Sequence, residues 1–449
     1  MKHLFSRLSP AQKIILSFLL VIFCGSLLLS LPWVQTESSQ AGYLDHLFTA
    51  VSMVCVTGLF TRSVVDTYNV WGQLLCMLLI QIGGLGILTF IGFFTMESRK
   101  KLSLKDRRIL RDSFSYGHNR TLGQFVRSIF ITTFTIEGLG ALLLMIRFIP
   151  KFGLRKGIFN SIFLAVSAFC NAGFDNFGND SLLGLQTDVL VNITLALLII
   201  TGGLGFMVWF DLATKLGGKQ KGLHFHTKVV LLLTAALLVF GTVTSLWTEY
   251  NNPGTIGNLS FGDKLLVSFF QTVSMRTAGF ASIDYTAARP VTLFIYLLQM
   301  FLGGAPGGTA GGLKITTFLV LLLFARKEIL GLPHTNLGRR TLAPQLVQKA
   351  FGVTVIFQLT FLLGLLALGL VTDSSHRFIY LIFETVSALA TVGVTANITT
   401  SLNTAGMIVI MLLMFIGRVG PLTLMVSLSH YQPKKATTLH YSKADIMIG

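Results

Sequence analysis

Four stretches of this chain carry backbone that could hold a dehydrated monovalent cation: Val56-Thr57-Gly58, Asn171-Ala172-Gly173, Thr277-Ala278-Gly279 and Thr391-Val392-Gly393. Main-chain carbonyls can replace the water shell of a potassium ion when the chain aims them inward. Glycine permits the backbone angles this requires without steric cost. The residues before each glycine vary while the glycine does not, the pattern expected where the main chain rather than a side chain binds. Each stretch follows a Phe-x-x-Val-Ser segment: Phe48 to Ser52, Phe163 to Ser167, Phe270 to Ser274 and Phe383 to Ser387. Read as a short helix, such a segment turns its partially negative C-terminal end toward the glycine and favours a cation over an anion. One glycine after one helix is an ordinary turn. Four in matching context, about a quarter of the chain apart, are an internal repeat.

A second constellation is Gly303-Gly304-Ala305-Pro306-Gly307-Gly308-Thr309-Ala310-Gly311-Gly312-Leu313-Lys314. It fails as a phosphate-binding loop, because Leu313 separates Gly312 from Lys314 where that motif needs glycine and lysine adjacent. So many glycines with Pro306 cannot continue an α-helix, so the apolar span holding them is expected to break in two. Broken membrane helices line functional cavities, and a movable gate beneath the glycine loops is the favoured reading, with a static kink as the alternative. Arg418, well inside the last apolar span, would place a positive charge on a cation path and join that gate, or cap carbonyls or pair with an acid. Glu137 is intramembrane as well, and an ion-pair partner and a packed neutral acid are equally compatible with its position. No reactive side-chain pair suggests an enzyme.

The elements that must position these residues follow from composition. The chain has 449 residues, 52% of them hydrophobic and only 12% charged, with mean hydropathy +0.72, where soluble domains carry about 25% charged residues. Apolar runs near 11–32, 71–95, 126–146, 189–210, 228–247, 291–325, 350–371 and 405–428 approach or exceed the ~20 residues that cross a bilayer. The repeat segments fall after the first, third, fifth and seventh runs and are too short to cross, so they read as re-entrant. An all-α integral membrane protein results, with four pseudo-repeated units of helix, pore helix, filter loop and helix around one central pore. The units are 1–98, 99–214, 215–325 with the broken second helix, and 326–449 with the C-terminal tail.

The net charge of +17 would suit nucleic acid, but its placement argues for topology. Arg99, Lys100, Lys101, Lys105, Arg107, Arg108 and Arg111 crowd one loop, Lys215, Lys219 and Lys221 a second, and Arg326, Lys327, Arg339 and Arg340 a third. Basic loops stay in the cytoplasm, which places both termini there, in a plasma-membrane protein. Arg147, Lys151, Arg155 and Lys156 make one outer loop an exception. Cys24, Cys55, Cys76 and Cys170 form no CxxC pair, and neither a disulfide framework nor a metal site is expected. The first apolar run is long enough to be a retained helix rather than a signal peptide. No stretch between spans has room for a nucleotide-binding domain, so no cofactor is expected in this chain.

The four units, Cys170-Asn171-Ala172-Gly173-Phe174, Arg276-Thr277-Ala278-Gly279-Phe280, the broken span and Arg418 together resemble the Ktr/Trk/HKT superfamily of potassium transporters over essentially the whole chain. Trk-type subunits usually have an additional N-terminal helix pair, so the likeness is to the Ktr-type membrane subunit. The resemblance implies potassium as the transported ion, because glycine at all four filter positions accompanies potassium selectivity there. It also implies a homodimer with one pore per subunit and a cytoplasmic ring of nucleotide-binding regulatory subunits. A sodium- or proton-coupled symporter of the same architecture, with Glu137 as the coupling residue, is the alternative. The third unit has one residue fewer between Ser274 and Gly279 than its counterparts, which leaves its register open.

Overall fold

The computed structural model describes residues 10–86, 122–178, 181–218, 220, 222–372 and 377–420. Each quarter opens with a long apolar helix: α1 (Pro10–Leu29), α4 (Leu122–Phe152), α8 (Phe225–Glu249) and α12 (Pro344–Val371). Among the described residues these four are long and apolar enough to cross a bilayer unaided. At about 1.5 Å per residue even the 20 residues of α1 reach about 30 Å. Their outer faces carry bare hydrocarbon, with Leu363 and Leu370 of α12 at 67% and 77% exposure. Large apolar side chains in such rows suit lipid and not water.

A short helix follows each long one: α2 (Tyr43–Cys55), α5 (Leu154–Phe169), α9 (Phe261–Ser274) and α13 (Phe378–Leu389). The Phe-x-x-Val-Ser repeat forms the buried end of each. Phe48, Phe163, Phe270 and Phe383 are fully buried, as are Ser52, Ser167, Ser274 and Ser387. The short helices thus occupy the centre of the protein with the long ones outside them.

Within the described residues the closing helices are shorter than whole spans. They are α3 (Val70–Leu85), α6 (Val189–Gly203), α10 (Pro290–Phe301) and α14 (Thr404–Val419). Side chains start three of them, with Asn69, Asp188 and Asn403 accepting from backbone N–H groups of the first turn. Glycines with positive φ stop the same three, at Gly86 (83°), Gly205 (88°) and Gly420 (91°). The run 189–210, read as one span, is instead bent by 98° between α6 and α7 (Phe206–Leu216). The third closing helix ends at Phe301 and resumes as α11 (Ile315–Ile329) after the glycine-rich stretch.

Two two-residue strands, β1 (Asn336–Leu337) and β2 (Arg340–Thr341), pair as a hairpin, an addition to the all-α expectation. Gly338 makes the turn with φ of 60°. The basic cluster from Arg99 to Arg111, Lys219, Lys221, the remainder of the expected run 71–95 beyond Gly86, and the remainder of the run 405–428 with the tail beyond Gly420 lie outside the described residues.

Candidate ion pathway

The four glycine loops leave their helices by the same backbone route. Two residues before each glycine the chain turns left-handed, at Val56 (φ 57°), Asn171 (57°), Thr277 (68°) and Thr391 (53°). Three of these are β-branched, for which positive φ is a genuine outlier. Strain of this kind persists only where the surroundings over-determine it, and it gathers at functional sites. The glycines follow with φ of 104°, 70°, 82° and 96°.

The loops converge in cyclic order. A Cβ on Gly58 would lie 2.8 Å from the carbonyl oxygen of Ala172, one on Gly173 equally close to that of Ala278, and one on Gly279 equally close to that of Val392. A Cβ on Gly393 would collide with the carbonyl of Thr57. Each glycine therefore meets the carbonyl preceding the next unit's glycine, and the fourth closes on the first. Only residues without a side chain fit at these points, and the four loops close into a ring of contacts.

A serine fixes each loop to its helix. Ser52 Oγ accepts from the Gly58 N–H (3.2 Å), Ser387 Oγ from Gly393 (3.0 Å) and Ser167 Oγ from Phe174 (2.9 Å). The third unit resolves its short spacing here. In the other three, the N–H before the glycine reaches back five residues to the serine carbonyl (Thr57 to Ser52, Ala172 to Ser167, Val392 to Ser387), whereas Ala278 reaches back only four, to Ser274. The left-handed residue and the glycine keep their register. Ser274 reverses its role instead and donates to the Phe280 carbonyl at 2.5 Å.

A second brace holds the chain beyond the glycine in the last two units. Gln271 donates to Ser282 Oγ (2.7 Å) and accepts from Tyr285 (2.5 Å). Glu384 accepts from Thr395 (2.7 Å) and from Thr399. Sequence reasoning missed these two and the serine roles, although the serines recur in the repeat itself and Gln271 and Glu384 both directly follow its phenylalanine.

The stretch 303–314 folds back on itself and onto its neighbours. Gly303 N–H donates to Leu313 O (2.9 Å) and Leu313 N–H to Phe301 O (3.1 Å). Ala305 and Thr309 donate to Gly203 O (2.9 Å) and Gly202 O (3.2 Å), the open carbonyls at the end of α6, and Phe206 donates to Gly307 O (3.0 Å). That exchange explains the bend after Gly203. Irregular backbone at membrane depth must find partners in protein, and the loop supplies those that α6 loses. Lys314 Nζ donates to Ala310 O at 2.6 Å.

Arg418 Nη1 donates to Thr309 O at 2.5 Å, and Nη2 donates to Gly83 O and, at 3.3 Å, to Gly84 O. Its charge thus sits on the negative C-terminal end of α3, and it has no ion-pair partner among the described residues. Of its expected roles, carbonyl capping and contact with the loop coincide in one side chain. Glu137 is buried and accepts from Gln81 Nε2 at 3.1 and 3.4 Å. Cys170 Sγ lies 3.6 Å from Gln81 Oε1 and 3.9 Å from Glu137 Oε1, so α3 and α4 both touch the end of the second short helix. Cys170 also packs on Gly84, where a Cβ would lie 2.6 Å from its sulfur.

The comparisons agree along nearly the whole chain. The family model TrkH, cation transport protein, matches residues 7–438. The Ktr system potassium uptake protein B of Bacillus subtilis is 38% identical over 446 residues, covering 99% of this chain and 97% of that protein. The potassium/sodium uptake protein NtpJ of Enterococcus hirae is also 38% identical, over 453 residues, covering 100% and 99%. Among solved structures, the potassium transporter TrkH from Vibrio parahaemolyticus superposes with TM-score 0.73 at 17% identity, covering 93% of this chain and 84% of that one, a likeness of fold.

Proposed function

The chain belongs to the TrkH family of cation transport proteins and takes up potassium, and we propose that the ion passes through a carbonyl filter built from its four glycine loops. It is a membrane component of a system with partner subunits. The observation that carries the filter reading is the cyclic contact of Gly58, Gly173, Gly279 and Gly393, each with the carbonyl before the next unit's glycine. In this reading potassium enters from outside and sheds water at residues 56–58, 171–173, 277–279 and 391–393. It passes inward when the 303–314 loop and Arg418 move aside. The membrane potential supplies about 2.3 kcal/mol per charge per 100 mV, which drives accumulation without ATP.

The finer assembly is part of the same proposal: four pore units in one chain, both termini cytoplasmic, two chains per dimer, and a nucleotide-binding ring docked on the basic cytoplasmic loops. A coupled symporter remains the rival, supported by the potassium/sodium name of one relative and by the buried Glu137. Dependence of potassium flux on a sodium or pH gradient would favour it.

The deciding experiment is cation uptake by liposomes holding the purified chain with its regulatory partner, comparing potassium with sodium for wild type and Gly58→Ser. Potassium-preferring flux that loses its preference in the variant supports the filter. A preference indifferent to Gly58 overturns it.

A further inference from the structure

The left-handed residue of each glycine loop also carries a side chain, and in three of the four units that side chain reaches the 303–314 loop. Thr277 Oγ1 accepts the Gly311 N–H at 3.2 Å. Thr391 Oγ1 presses on the Gly311 backbone so closely that a Cβ there would overlap it. Asn171, with its amide oriented to satisfy both its atoms, donates to Ala168 O (3.1 Å) and Ile199 O (3.2 Å) and offers its oxygen to the Thr309 hydroxyl at 3.3 Å. The one proton of that hydroxyl is shared with Phe169 O, at the end of the second short helix, which lies 3.1 Å away. In the first unit the same position is Val56, which has no polar group to offer and lies against Gly83 of α3 instead.

The geometry points to Asn171, Thr277 and Thr391 as the latch that holds the intramembrane loop closed, a role of their side chains separate from any role of their carbonyls. This inference rests on the filter-and-gate reading above and deepens it by naming what the loop must release. Gly311 is the keystone, because it meets two of the three latch residues and has no side chain to hold them off. The Thr391 hydroxyl has no hydrogen-bond partner among the described residues, so part of the latch is contact alone.

The test uses the full chain in liposomes with its regulatory partner and without gating nucleotide, following potassium and sodium uptake. Thr277→Val keeps shape and removes the acceptor. Its expected effect is a rise in basal potassium uptake of about five- to tenfold, the population shift that losing one net hydrogen bond produces, with potassium preference retained. Thr360→Val, which removes a hydroxyl bonded only within α12, should leave both unchanged. A second readout separates release from a damaged fold. Ala310→Cys, at a site buried in the closed loop, should react with a water-soluble maleimide several times faster in the Thr277→Val background. Unchanged flux and unchanged labelling overturn the latch. So does a loss of potassium preference without a rise in flux, since the hydroxyls would then be serving the filter. A wild-type preference indifferent to Gly58→Ser would fail the filter reading instead, and faster labelling of residue 310 would still report a latch.

Discussion

Arg418 and Thr309 are 109 residues apart in sequence and 2.5 Å apart in space, guanidinium to carbonyl. The last closing helix thereby grips the loop that interrupts the third. Replacing Arg418 by alanine frees Thr309 and strips the carbonyls of Gly83 and Gly84 of their donor. Potassium uptake through the reconstituted protein should rise by about tenfold or more, because a hydrogen bond to a charged group contributes about 1.5–3 kcal/mol. Arg418→Lys, a point charge without the fork, should fall between. Flux indifferent to Arg418→Ala would remove the arginine from closure.

The four glycines are unequal in the room they leave. An alanine at Gly393 would meet the Thr57 carbonyl head-on, whereas at Gly58 the nearest atom is 2.8 Å away and the next 3.2 Å. Yield of monodisperse protein and potassium flux should therefore fall most for Gly393→Ala and least for Gly58→Ala. The reverse ranking would contradict the packing described.

The serine braces should separate by polarity. Ser52→Ala and Ser387→Ala orphan a buried N–H, whereas Ser274→Ala orphans only a carbonyl, which tolerates under-satisfaction better. Potassium-over-sodium preference should drop about fivefold in the first two, as one net hydrogen bond predicts, and less in the third. Flux-ratio measurements on the three variants check this, and a larger loss in Ser274→Ala would sink it.

Asp175, in the loop after Gly173 and Phe174, gives a pH signature. Burial pushes its carboxyl up to about 6, against hydrogen bonds from the Phe177 N–H (3.0 Å) and Ser181. An acid whose folded value is raised binds more protons folded than unfolded, so stability falls as pH rises from about 4 to 6 and is level above. The detergent-solubilised protein should melt higher at pH 5 than at pH 7, and Asp175→Asn should flatten that difference. Equal slopes in both would remove Asp175 as its source.

What the sequence made legible was what the chain repeats. The glycine positions are spelled out four times because four loops need the same backbone angles. The break at 303–314 was legible because six glycines and a proline within ten residues are more than a helix can absorb, whereas the single Pro150 is carried inside α4. The bend after Gly203 was hidden, since its cause is hydrogen bonding to a loop about a hundred residues later and Gly202-Gly203-Leu204-Gly205 reads like its first-unit counterpart. Gln271 and Glu384 were hidden for a related reason. Each meets its first partner eleven residues on, but the residue types differ (Gln with Ser282 and Tyr285, Glu with Thr395 and Thr399) and the first two units have no counterpart, so no shared motif marks them. Arg418 was visible as an anomaly of charge, but its choice between acid and carbonyl depended on what the fold brought near.

The reversed hydroxyl of Ser274 sits in the same quarter as the interrupted helix. A channel assembled from four copies of one subunit must repeat any obstruction in every quadrant, or carry none. Strung along a single polypeptide, the four walls are free to diverge. One quarter can shorten its turn and supply a loop that packs on the second and fourth, so in the proposed pathway a single stopper of a dozen residues would serve all four walls.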